Sequence, residues 1–312
     1  MFKLPALPSP RADIHELADF AELLALQNES DSVSVREILA YLGRAGDNEY
    51  NEGVDDEDDI NADALDEVMM EIDRRSKSCV GGYPFALDLK GTVLRHDRVD
   101  SSERAVIYRY LLLSTRLNMM ADKVQAGIDG TGLLEEISAA VLRCYLGYNR
   151  AKSVVFGTAI GGTFRDKVDA LCGALGEGGG YEALDPGPVN ANDDRLDSVA
   201  WIPFSDKREG KLIIFCQCKT GSSWREHTTQ LQPDAFIRRW MKHRTFLVVP
   251  VRAFCVSEST CSNRWGGLVS YAGLLFDRLR LVDFLDCIEP NLLERVRTWN
   301  EAATAVAAKA IN

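Results

Sequence analysis

The chain has 312 residues, 46% of them hydrophobic and 27% charged, with a formal net charge of −11. That composition provides for a real core and a charged surface, and argues against a disordered or fibrous chain. No apolar run approaches the ~18–20 residues that span a bilayer, so no membrane association is expected.

In chain order, the stretch MFKLPALPSPRAD lacks a basic start leading into a long apolar segment. No secretory signal is expected, and the expected location is the cytoplasm. Residues 11–27 follow, with Ile14, Leu17, Ala18, Ala21 and Leu24 at helical spacing. Residues 32–42 read as a second short helix, with Ser34 as N-cap and Glu37 completing a capping box. Residues 46–63 are polar and acidic and read as a loop. A helix is predicted at 63–76, short strands at 83–89 and 91–95, and a long apolar helix at 103–122.

A turn-rich break falls at 127–132. We therefore expect a mostly helical N-terminal domain over 1–126 and a second domain over 127–312. The second domain starts with a helix at 131–146 closed by Gly147, a good residue to end a helix. A strand is expected at 150–156, then an insertion at about 157–190 holding one helix, 164–175. Strands at 196–202 and 211–219 come next, then a helical stretch at 224–241 that Pro233 must kink or restart. TFLVVPV, 245–251, reads as a buried strand, 274–285 as a strand leading into a helix, and 289–310 as helix. The simplest architecture for that order is α/β, a mixed central sheet flanked by helices.

Eight cysteines are scattered without a CxxC pair, and the four histidines form no HxxxH pair. Both facts argue against a zinc or histidine metal site and for reduced, partly buried thiols. The acidity is uneven. Residues 44–75 hold thirteen acidic and three basic residues, whereas 219–252 hold seven basic and two acidic. Net charge therefore does not exclude a phosphate polymer as substrate.

The chemistry is concentrated between Asp197 and Lys219. Gln217 and Lys219 are two apart on a strand and share a face, while Cys216 and Cys218 share the other, which is taken as the core face. A hairpin through the 203–210 loop brings Asp197 beside them. A turn centred on Lys207 sets it opposite Gln217, and one centred on Arg208 sets it opposite Lys219. A carboxylate, an amide oxygen and a lysine on one face are the parts needed for metal-assisted phosphodiester hydrolysis. A divalent cation neutralises the phosphate and activates water, and a nearby lysine assists.

An Asp followed by Gln-x-Lys, preceded by a helix with Gly-x-x-Glu, resembles the PD-(D/E)xK nuclease superfamily, most closely its Mrr-like restriction endonucleases. The matching residues are Gly132, Glu135 and Glu136, then Leu146-Gly147-Tyr148, then Asp197, then Gln217-Cys218-Lys219, and the resemblance covers roughly 130–287. It implies a restriction-endonuclease-like fold and a DNA endonuclease, with restriction or anti-phage defence as the setting. Asp197 would be the central metal ligand, Gln217 the second, and Glu135 or Glu136 a helix-borne supporting ligand. Neighbours on a helix diverge by about 100°, and Glu135 is preferred for its spacing from Gly132. Lys219 would orient water and stabilise developing charge.

The implied metal is Mg²⁺ or Mn²⁺, and the implied substrate double-stranded DNA. A helicase or ATPase partner or a homodimer is also implied. Arg225 and His227, opening the stretch after the lysine, are candidates for phosphate-backbone contact. The rival readings are an inactive binding or docking module of the same fold and an RNA-directed nuclease. Singly, Asp197 could be a strand-edge cap, Lys219 an exposed strand end and the glutamates ordinary first-turn charges.

Overall fold

The computed structural model describes residues 2–47, 62–157, 161–185 and 194–311. The acidic loop expected at 46–63 lies outside them save for its ends.

The first half holds α1 (Ile14–Gln27), β1 (Ser32–Ser34), α2 (Val35–Asp47), α3 (Ala62–Ser78), β2 (Phe85–Asp88), β3 (Val93–His96) and α4 (Glu103–Arg116). The three strands form a small sheet in the order β1-β3-β2. The capping box is present. Glu37 takes the N–H of Ser34 at 2.7 Å, and Ser34 Oγ takes that of Glu37 at 3.3 Å. Helix α4 ends at Arg116, six residues short of expectation. Leu117 is extended, and Met120 stands almost wholly exposed. Asn118 breaks the helix, since its side chain accepts the N–H of Met120 in a local turn.

A tight hairpin, β4 (Val124–Gln125) and β5 (Ile128–Asp129), occupies the expected break and leads directly into α5 (Gly130–Tyr145). Asp129 caps that helix through the N–H of Thr131. Gly147 follows its end at φ +99°, a conformation costly for any residue with a Cβ. Then come β6 (Lys152–Val155), α6 (Phe164–Leu175), β7 (Ser198–Trp201), β8 (Ile213–Lys219), α7 (Pro233–Trp240) and β9 (Val251–Val256). The chain closes with α8 (Trp265–Ala272), β10 (Leu274–Phe276), α9 (Arg278–Asp283) and α10 (Pro290–Ile311). Pro233 restarts the helical stretch at its first turn, where a missing N–H costs nothing.

Five strands form the main sheet, in the order β10-β9-β8-β7-β6. The β6-β7 and β7-β8 pairs are antiparallel, and β8-β9 and β9-β10 are parallel. The strand expected at 245–251 is instead Val251–Val256. Pro250 has no N–H for a ladder, and Leu247 and Val249 are exposed, whereas RAFCV aligns in register with β8.

Helices cover both faces of the sheet. One apolar cluster runs from Phe2 to Ala307 and joins α1, α4, α5 and α10 to Ile214, Cys216, Cys218 and Cys255. The core is thus continuous across residue 126. The other cluster joins α6 and α7 to Val199, Trp201, Ile213 and Phe215. The described part of the expected insertion supplies about a third of this second core, through Phe164, Val168, Leu171, Cys172 and Leu175. Among the described residues, no helix is long and apolar enough to cross a membrane.

Beneath the apolar contacts lies a buried ionic network. Asp19 on α1 accepts from Arg75 at 2.6 Å, Arg116 at 2.7 Å and Arg278 at 2.8 and 2.9 Å, all four side chains being wholly buried. Glu22, one turn on, accepts from Tyr83 and Tyr108 at 2.8 and 2.9 Å. Helix α1 is therefore buried nearly all round rather than on one stripe, and it is Ile14, expected inside, that is exposed.

Candidate metal centre

Strand β8 has the sequence IIFCQCK because both of its faces are covered. Ile213 and Phe215 point into one core, and Ile214, Cys216 and Cys218 into the other. The alternation breaks at Gln217, an amide with no exposed surface, and ends at the half-buried Lys219.

Ser198 pairs with Cys216 and Trp201 with Ile213, so the β7-β8 hairpin is centred on Lys207, whose φ of +59° makes the turn. Continued by one residue, that register sets Asp197 opposite Gln217, on the face shared with Lys219. The Asp197 carboxylate, 8% exposed, accepts the backbone N–H of Cys218 at 2.6 Å. Its own carbonyl accepts from Phe156 and Gly157 at 2.7 and 2.9 Å, which ties the end of β6 to the start of β7.

Glu135, on α5, meets the chain just past the end of β6. Its carboxylate is 6% exposed and lies where a Gly157 side chain would be, within 2.8 Å of that missing Cβ. Lys167 on α6 closes the other side, donating to the Gly157 carbonyl at 2.7 Å. Glu136 faces away and makes a two-pronged pair with Arg295 of α10. Of the two helix glutamates, only Glu135 lies beside Gly157, and through it the backbone of Asp197.

The donor chemistry fits a hard divalent cation. Mg²⁺ takes oxygen ligands and commonly one or two carboxylates. Glu135 and Asp197 are two buried carboxylates. Gln217 adds an Oε1 that is buried and, among the described residues, has no hydrogen-bond partner. Its Nε2 donates to Gln230 Oε1 at 3.3 Å. An orphaned buried carbonyl normally costs about 1–3 kcal/mol, a cost that a cation ligand would remove.

Arg225 and His227, the candidates for backbone contact, lie on a short 3-10 turn, Ser223–His227. Arg225 turns inward, 2.7 Å from Glu258 and stacked over Trp224. His227 is half-buried, with Nδ1 2.7 Å from Gln230 Nε2. The turn after Lys219 is fixed from both halves of the chain, since Gly221 donates to Ser114 O and to Ser257 Oγ.

Among the described residues, one group of His, Cys, Asp or Glu side chains has the spacing of a metal site, namely His15, Glu16 and Glu258. Arg116 lies 3.8 Å from both glutamates, and Arg225 pairs with Glu258, so arginine already supplies the positive charge. The sequence reading of residues 11–27 used only their apolar spacing and missed this hub, although Glu16, Asp19 and Glu22 recur there every three residues. The eight cysteines are free thiols, six of them buried. The Gly-rich stretch 176–180 is a built turn, with Glu177 paired to buried Lys211 at 3.0 Å.

Comparison with protein-family models, with curated proteins and with solved structures gives no match for this chain.

Proposed function

We propose that this chain is a metal-dependent endonuclease hydrolysing DNA phosphodiester bonds, with a restriction-endonuclease-like fold of the PD-(D/E)xK type in its Gln-x-Lys form. The observation that carries this reading is the register that sets Asp197 opposite Gln217, whose buried Oε1 has no partner among the described residues, with Lys219 on the same strand face and Glu135 against Gly157 just past the end of β6. The helix-strand-strand-strand-helix-strand order from α5 to β9, interrupted by α6, also supports it.

Glu135, Asp197 and Gln217 would hold Mg²⁺ or Mn²⁺, which when bound neutralises phosphate charge and lowers the pKa of water. Lys219, half-buried beside them, orients the attacking water and stabilises charge on the phosphate. Gly157 keeps space open for Glu135, and the Cys218 N–H fixes the Asp197 carboxylate. On this reading the substrate is double-stranded DNA, and the setting is restriction or anti-phage defence in the cytoplasm. Two cuts in a duplex need two such sites, which favours a homodimer or a helicase or ATPase partner.

One observation favours a second reading, a binding module of the same fold without catalysis. Gln217 is neutral where the commoner motif has a carboxylate, and it is wholly buried. A Mg²⁺-dependent cleavage assay on plasmid, single-stranded DNA and RNA separates these readings. Wild type should cut duplex DNA, while Asp197→Ala and Lys219→Ala should not. Cleavage of RNA alone would make the chain an RNA-directed nuclease, and binding without cleavage would favour the second reading. Equal cutting by the variants would remove the site assignment.

A further inference from the structure

Gln217 is the terminus of a chain of three polar side chains. Gln230, three residues beyond His227, places its Nε2 2.7 Å from His227 Nδ1 and its Oε1 3.3 Å from Gln217 Nε2. A primary amide has one donating end and one accepting end, so such a chain has a direction. When Gln230 gives its N–H to the imidazole, only its oxygen is left for Gln217. Only the NH₂ of Gln217 can answer that oxygen, which leaves Gln217 Oε1 free. In the reverse direction Gln217 would spend its oxygen on Gln230 and turn NH₂ the other way. A cation can be bound by the oxygen and not by the NH₂.

We infer that Gln230, backed by His227, is a positioning residue that fixes the amide of Gln217 with its oxygen available to a divalent cation. The inference rests on the proposed metal site at Asp197 and Gln217. It gives a role to two side chains on the turn after the lysine, and it accounts for the buried oxygen that has no partner among the described residues.

The test is Mn²⁺ binding to the full chain without DNA, followed by electron paramagnetic resonance. Gln230→Met removes the acceptor and should weaken Mn²⁺ binding about 10- to 100-fold, the usual effect of losing a group that orients a ligand. Gln230→Lys offers only donors and draws the Gln217 oxygen to itself, so it should bind as weakly. Gln230→Glu keeps an acceptor toward Gln217 and should restore near wild-type binding. Melting temperatures identify any variant that fails to fold, in which case the remaining variants decide. If Asp197→Ala abolishes binding while Gln230→Met and Gln230→Lys bind as wild type, the role of Gln230 is overturned and the metal site stands. If Asp197→Ala binds as wild type, the metal site itself is lost.

Discussion

Glu135 and Gly157 share one space. A Cβ on Gly157 would stand 2.5 Å from Oε2 of Glu135 and 2.8 Å from its Oε1, distances that no real contact tolerates. Gly157→Ala should therefore displace the glutamate. Cleavage and Mn²⁺ affinity should fall sharply, while stability should change by no more than about 1 kcal/mol, since only the far end of a flexible side chain has to move. Parallel cleavage and urea-unfolding measurements check this, and unchanged cleavage would mean that Glu135 has no part in the site.

The two helix glutamates make opposite predictions. Glu135→Gln should lose metal-dependent cleavage. Glu136→Gln gives up only a partly exposed pair with Arg295 and should cut normally, with stability lower by no more than about 1 kcal/mol. Side-by-side rate measurements decide which glutamate serves the site.

Lys219 and Asp197 should separate binding from chemistry. Lys219→Ala should retain Mn²⁺ binding and lose cleavage by about 10²-fold or more, as expected for a group assisting proton transfer. Asp197→Ala should lose both. Mn²⁺ titration beside single-turnover kinetics reads the two quantities separately.

Asp19→Ala should be among the most destabilising single changes. It strips the shared carboxylate from three buried arginines, and breaking a buried ion pair from one side costs about 3–5 kcal/mol. The urea midpoint should fall, with metal affinity unchanged in the fraction that remains folded.

Stability should also depend on pH through His96. Burial, with the Arg109 guanidinium donating to Nε2 at 2.9 Å, pushes this imidazole down to about 4. The unfolded chain takes up the proton first as pH falls. The contribution is therefore full above about pH 6.5 and is lost on descending toward pH 4, amounting to about 2 kcal/mol after allowance for solvent screening. Replacing His96 by Gln should flatten the unfolding free energy between pH 6.5 and 4.

Much of this was legible in the chain itself. The apolar period of IIFCQCK, interrupted by Gln and Lys two apart, was enough to fix a strand and a face. The limits of the 203–210 loop restricted the hairpin to two registers, and the observed one is centred on Lys207. The preference between Glu135 and Glu136 rested on spacing alone, because the neighbour that distinguishes them, Arg295, is 159 residues from Glu136.

Long-range polar pairing was the part that could not be read. Glu16, Asp19 and Glu22 lie on a helix whose apolar residues suggest an ordinary amphipathic stripe. Nothing local announces that Arg75, Arg116 and Arg278 will meet them inside. The misplaced strand at 245–251 has a simpler cause. Apolar content was read as burial, when the absent N–H of Pro250 forbids that segment a place in the ladder.

The pairing of Asp19 with Arg278 also has a consequence in time. The two residues are separated by 259 positions. At a synthesis rate of ~5–20 residues per second, the acidic side chains of α1 wait roughly 13–50 s for their last partner to be made. Until then no nascent or prematurely ended chain can complete this network. The ionic seat of helix α1 therefore cannot be complete before Arg278 has been translated.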